Sequence, residues 1–86
     1  MFYVYVLLSE KDGKFYIGQT NNLEKRLSRH FNGYVKSTRH RRPLKLLFFE
    51  EHSNRNLAMN REEFLKSGLG HQFIKSKLKE LADLER

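Results

Sequence analysis

Phe2-Tyr3-Val4-Tyr5-Val6-Leu7-Leu8 and Phe15-Tyr16-Ile17-Gly18, joined by Ser9-Glu10-Lys11-Asp12-Gly13-Lys14, decide how this chain folds. The first stretch is an unbroken apolar and aromatic run, too short for a buried helix and rich in β-branched and aromatic residues. It reads as a strand covered on both faces. Asp12-Gly13 between the two runs is a strong hairpin signal, because the left-handed backbone of a tight turn suits glycine. A loop of two or four residues pairs odd-numbered residues of the first arm with even-numbered residues of the second. Tyr5 and Tyr16 then share a face, and Gly18 beside them leaves room for a close approach.

Outward from the hairpin, Thr20 to Gly33 reads as a helix. Asn21 is placed to cap it, Glu24 stands three residues on, and Gly33 can close the far end. Leu23, Leu27 and Phe31 form its apolar stripe. His30 falls inside that arc and Arg26, one turn earlier, at its edge, so the two are neighbours where helix meets sheet. An arginine and a histidine at that spacing suit either a packed rim or an anion site.

Tyr34 to Arg42 reads as a loop in which Lys36, Arg39, Arg41 and Arg42 alternate with the hydroxyls of Ser37 and Thr38. Cations interleaved with small donors suit phosphate contacts better than an interior. Pro43 then opens a third strand, Leu44 to Glu51. Ser53 is placed to cap a second helix reaching about Ser67, with Leu57, Ala58, Arg61, Phe64 and Leu65 on one arc. Glu62 borders that arc, whereas Glu63 points away. Gly68-Leu69-Gly70 reads as a short break before a last helix that turns Phe73, Ile74, Leu78 and Leu81 inward. Lys75, Lys77 and Lys79 lie on its solvated face.

Eighty-six residues suit one domain spanning 1–86 with a modest core. The fold expected is α/β (α+β): a three-stranded antiparallel sheet flanked by three helices, in the order β-β-α-β-α-α. Lacking cysteine, the chain has no disulfide, thiolate metal site or cysteine nucleophile, so any metal is held by carboxylate, histidine or water. Seventeen Lys plus Arg against 10 Asp plus Glu give a net charge of +7, which favours polyanionic partners. No apolar run is long enough to cross a bilayer and no signal-type segment opens the chain, so a cytoplasmic location is expected.

These pieces resemble the GIY-YIG nuclease superfamily, in particular its small single-domain members. Tyr3-Val4-Tyr5 stands where the family's first tripeptide does, with Tyr3 in place of the first glycine, and Tyr16-Ile17-Gly18 matches the second. Arg26 and His30 match the arginine and histidine of the following helix. Glu62, in Arg61-Glu62-Glu63-Phe64-Leu65-Lys66, matches the metal-binding glutamate. The likeness runs from about Phe2 to Leu78. A second histidine that some members carry after the first helix is replaced by Lys36 and Ser37, with His40 close by. An asparagine that certain homing enzymes carry after the glutamate helix has no counterpart around Gly70-His71-Gln72.

The resemblance implies hydrolysis of DNA phosphodiesters, in repair or recombination, with Mg²⁺ (or Mn²⁺) held by Glu62. It implies that Tyr5 and Tyr16 orient the attacking water, that Arg26 meets the non-bridging oxygens, and that His30 holds a tyrosine or donates a proton. A phenol with a pKa of about 10 is a poor base at neutral pH, so a proton-accepting tyrosine requires the metal or Arg26 to lower it. Branched or damaged DNA is the implied partner, contacted by Lys36, Arg39, Arg41 and Arg42, together with a protein that supplies targeting. The alternatives are a DNA-binding module that has lost the chemistry and a catalytic subunit that depends on a targeting partner.

Overall fold

In the computed structural model, which describes residues 1–84, the hairpin takes the expected register. Strand β1 (Phe2–Ser9) pairs antiparallel with β2 (Phe15–Thr20), setting Tyr5 opposite Gly18 and Leu7 opposite Tyr16. Gly13 takes a φ of 72°, and Ser9 Oγ accepts from the backbone N–H groups of Lys11 and Asp12. Helix α1 (Leu23–Phe31) follows, then a 3₁₀ turn (Arg39–Arg41), strand β3 (Leu44–His52), and helices α2 (Arg55–Lys66) and α3 (Gly68–Leu84). The sheet order is β2-β1-β3, all antiparallel, so the fold is the three-stranded sheet with three helices expected from the sequence.

The central position of β1 explains its unbroken apolar run, because helices cover both of its faces. On one face Val4, Val6 and Ile17 pack with Ala58, Leu65 and Ile74 from α2 and α3, and Phe2, Phe15, Leu47 and Phe48 rim this core. Each of the fully buried Val, Leu and Ile side chains contributes about 2 kcal/mol. A bulge between Val6 and Leu7 shifts the β3 register from Val6–Phe48 to Leu7–Leu46. The extra residue, Leu47, thereby joins Phe48 against the same core. The opposite face carries Tyr5 and Leu7, both closed to solvent.

Several local expectations are corrected. Asn22, not Asn21, caps α1, its side chain accepting from Lys25 N–H at 3.2 Å. Thr20 fixes that entry, its hydroxyl accepting from Asn22 N–H at 3.1 Å. Asn54, not Ser53, caps α2, accepting from Leu57 N–H at 2.9 Å. Gly33 does close α1: it takes a φ of 81°, and the N–H groups of Gly33 and Tyr34 bond to the carbonyls of His30 and Arg29.

Gly68-Leu69-Gly70 is the first turn of α3 rather than a break. Ser67 alone separates the helices, its hydroxyl donating to Phe64 O at 2.5 Å and accepting from Gly70 N–H at 3.1 Å. Gly70 is required by packing, since a Cβ there would run into the Phe64 carbonyl and the Leu65 backbone.

The apolar arcs are also thinner than expected. Phe31, Leu57, Phe64 and Phe73 all remain exposed. The Arg61 guanidinium lies 5.2 Å from the ring centre of Phe64 and 4.7 Å from that of Phe73. It also forks onto Glu50 at 2.8 and 2.9 Å, so a cation covers the apolar face there.

Candidate active site

The site grows from the face of the hairpin that carries the tyrosines. Tyr5 in β1 and Tyr16 in β2 have ring centres 6.3 Å apart. Gly18 lies under the Tyr5 ring: a Cβ there would sit 2.5 Å from the hydroxyl and 2.6 Å from Cζ. No other residue fits at this point without moving the phenol.

Helix α1 lies over this face and delivers the next two groups from successive turns. His30 Nε2 is 2.8 Å from the Tyr5 hydroxyl, and Arg26 Nε donates to the same oxygen at 3.4 Å. The His30 ring centre is 5.0 Å from that of Tyr16 and 5.5 Å from that of Tyr5. Tyr5, Tyr16, Arg26 and His30, read from the sequence as site residues, therefore stand together. Their exposures differ. Tyr5 and His30 are 0% exposed, whereas Tyr16 and Arg26 are only half-buried.

Thr38 completes the cluster. Its hydroxyl is 2.8 Å from His30 Nδ1, and the residue is fully buried. Both ring nitrogens of His30 thus face a hydroxyl, and rotation of the Tyr5 and Thr38 O–H bonds satisfies either neutral tautomer. The expectation that Thr38 offers its hydroxyl to phosphate is corrected: it faces inward and anchors the basic loop to the site. No motif in the sequence pairs Thr38 with His30, and only the path of the loop brings them together.

Burial sets the electrostatics. His30 is lowered to about 4, first because its ring is desolvated and second because Arg26 is close. The ring is accordingly neutral at pH 7. Burial likewise raises the Tyr5 phenol; the hydrogen bond from Arg26 opposes the rise, while Tyr16 and Glu62 add to it. At Tyr5 desolvation outweighs the lowering by the Arg26 guanidinium. Arg26 is pushed up, chiefly by its bond to Tyr5, and stays charged.

Glu62 lies on α2, which packs on the Val4, Val6 and Ile17 face of β1 and β2. Among the described residues no hydrogen bond joins it to the tyrosine cluster on the other face. Its side chain is 19% exposed, and Oε2 accepts from Lys66 Nζ at 3.1 Å, one helical turn away. Among the described residues no group of three or more His, Asp or Glu side chains is placed to hold a metal. A cation at Glu62 would thus have at most two protein ligands of these types, with water supplying the rest. Mg²⁺ is commonly held this way, by one or two carboxylates and several waters, so the donor set fits it.

The basic loop divides in two. Arg41 Nε donates to Asp12 at 3.0 Å and its Nη2 to Phe15 O at 3.4 Å, committing that side chain to the hairpin. Arg42 Nε donates to Arg39 O at 3.0 Å, and its guanidinium packs over Gly33. Lys36 and Arg39 are exposed. His40 is exposed beside Arg39 and does not join the tyrosine cluster.

Comparison with known proteins shows the family to which this fold belongs. Residues 1–75 match the family model described as the GIY-YIG catalytic domain. A UPF0213 protein of Clostridium perfringens is 49% identical over 67 residues, covering 77% of this chain and 71% of the relative. A UPF0213 protein of Pediococcus acidilactici is 43% identical over 83 residues, covering 93% and 80% respectively. The solution structure of a UPF0213 protein from Bacillus halodurans superposes with a TM-score of 0.55 at 32% identity, covering 88% of this chain and 84% of that one. With a family model spanning most of its length, and tyrosines, arginine and histidine assembled on one sheet face, this chain belongs to the GIY-YIG nuclease family.

Proposed function

We propose that this protein is a DNA endonuclease that hydrolyses phosphodiester bonds with the help of a divalent cation, Mg²⁺ or Mn²⁺, bound at Glu62. The observation that supports this reading is the assembly of Tyr5, Tyr16, Arg26 and His30 around Gly18; the place of Glu62 beside them rests on its match to the family's metal-binding glutamate. Phosphodiester hydrolysis needs an activated water, neutralisation of charge on the phosphoryl oxygens, and help for the leaving oxygen. The cation, when bound, supplies Lewis-acid stabilisation of a phosphoryl oxygen and makes water a better nucleophile.

The protein groups then fall into two tiers. Tyr16 and Arg26 are open enough to reach the scissile phosphate: Arg26 meets the non-bridging oxygens as charge builds, and Tyr16 orients the attacking water. Tyr5 and His30 are closed off and act through these neighbours. Tyr5 holds the Arg26 side chain on one side and the His30 ring on the other. His30, neutral at pH 7, holds the Tyr5 hydroxyl at Nε2 while Nδ1 is bonded to Thr38, and so fixes the phenol against Arg26.

Lys36 and Arg39 supply sequence-independent phosphate contacts beside the site, and the fitting substrates are branched or damaged DNA met in repair or recombination. The test is cleavage across a panel of duplex, flap and junction DNAs with and without Mg²⁺. Wild-type protein is expected to cut only with the cation, and Arg26→Ala and Tyr16→Phe to lose the rate while retaining DNA binding. Cleavage undiminished in Arg26→Ala would remove the assignment.

A further inference from the structure

A polar groove crosses the outer side of α1. Next to the cluster, a depression of about 190 Å³ is lined by Arg26 together with Asn22, Lys25 and Arg29. The same Asn22, Lys25 and Arg29 line a larger groove of about 540 Å³ that ends at Tyr34. The two depressions share Asn22, Lys25 and Arg29, so two cations stand between the guanidinium assigned to the scissile phosphate and an aromatic ring. Glu24 also borders the groove, at the amino end of α1, where its charge complements the helix dipole.

Tyr34 is 71% exposed, the most exposed aromatic side chain among the described residues. Its backbone is nonetheless fixed. The Tyr34 N–H bonds to Arg29 O at 2.9 Å, Gly33 before it is covered by the Arg42 guanidinium, and Val35 after it is buried. An aromatic plate held in water on a rigid backbone, at the end of a cationic groove, has the two features used to bind an unpaired strand. Cations follow the phosphates, and a ring stacks on a base whatever its identity. A base within a duplex offers no free face to such a ring.

We infer that the α1 groove binds the single-stranded portion of the substrate, with Lys25 and Arg29 on its phosphates and Tyr34 stacked on an unpaired base. The assignment to DNA rests on the nuclease reading above, and it selects flapped or frayed DNA over intact duplex.

The test is fluorescence anisotropy in EDTA, so that no cleavage occurs, using a labelled DNA of about 12 nucleotides, within the usual site-size range. The same sequence is also presented as a blunt duplex and as RNA. Tyr34→Ala is expected to weaken single-strand binding about tenfold, while Tyr34→Phe, which keeps the ring, binds like wild type. Duplex binding should be unchanged in both. Lys25→Ala and Arg29→Ala should each reduce the steepness of log K against log salt by about 0.7.

Wild-type single-strand affinity retained in Tyr34→Ala, equal losses on duplex and single strand, or tighter binding to RNA would each overturn the inference. A protein that binds through Tyr34 yet never cuts upholds it and removes the nuclease reading. A protein that cuts with Tyr34 idle does the reverse.

Discussion

His30 makes folding of this protein sensitive to mild acid, and the size of the effect follows from its surroundings. The ring is wholly buried between Tyr5 and Thr38, with Arg26 beside it, and its pKa falls from 6.5 to about 4. In the unfolded chain the same ring takes up a proton near 6.5. Between these values the unfolded state binds more protons, so stability rises with pH across the window and falls as the solution is acidified through it. The contribution is fully present above 6.5 and exhausted below about 4. At about 1.4 kcal/mol per pH unit the window amounts to about 3 kcal/mol, a large share of the 5–15 kcal/mol typical of a folded domain.

Urea denaturation at fixed pH values, followed by circular dichroism, reads this directly. With a slope of about 1 kcal/mol/M for a chain of this size, the midpoint should drop by about 3 M between pH 7 and pH 4. His30→Gln, which offers an amide to the same two hydroxyls and does not titrate, should be less stable at pH 7 but lack this component of the pH dependence. Parallel profiles for the two proteins, or a loss confined to below pH 4, would refute the reasoning about His30.

Three further outcomes rest on packing and charge. Gly18→Ala places a methyl 2.5 Å from the Tyr5 hydroxyl, and the buried phenol must move away from Arg26 and His30. A loss of about 1–3 kcal/mol is expected, with DNA cleavage falling further than stability, and an unchanged melting temperature would contradict the close approach. Gly70→Ala is more severe, because the added carbon meets rigid backbone at Phe64 and Leu65; loss of the cooperative thermal transition is expected, and a wild-type melting curve would show that the α2–α3 junction is placed differently. Arg61→Lys keeps the charge but loses the fork onto Glu50 and the stacking on Phe64 and Phe73. At this partly exposed site it should cost about 1 kcal/mol by chemical denaturation, with catalysis unaffected.

The hairpin was legible because its signals are local. An unbroken apolar run identifies the central strand, and side-chain alternation puts Tyr5 and Tyr16 on one face. The helical positions of Arg26 and His30 followed from spacing in the same way. Contacts made by distant segments were not legible. Thr38 reads as one more hydroxyl in a basic loop, yet the loop turns it into the cluster and leaves Tyr34 outside. Gly70 carries the composition of a break, but the glycine serves the close crossing of two helices. Arg41 looks like a free cation until the hairpin brings Asp12 to it. Phe64 and Phe73 have the pattern of core residues, and a single arginine stacked on both keeps that face at the surface.

The proposed function requires Glu62 and the tyrosine–arginine–histidine cluster to act as one catalytic centre. Initial rates of supercoiled plasmid nicking in Mg²⁺, for wild type and Glu62→Gln matched in fold by circular dichroism, test it most directly. Cation-dependent nicking is expected of wild type and none above background of Glu62→Gln, with DNA affinity in EDTA unchanged. Equal nicking by the two proteins would contradict it.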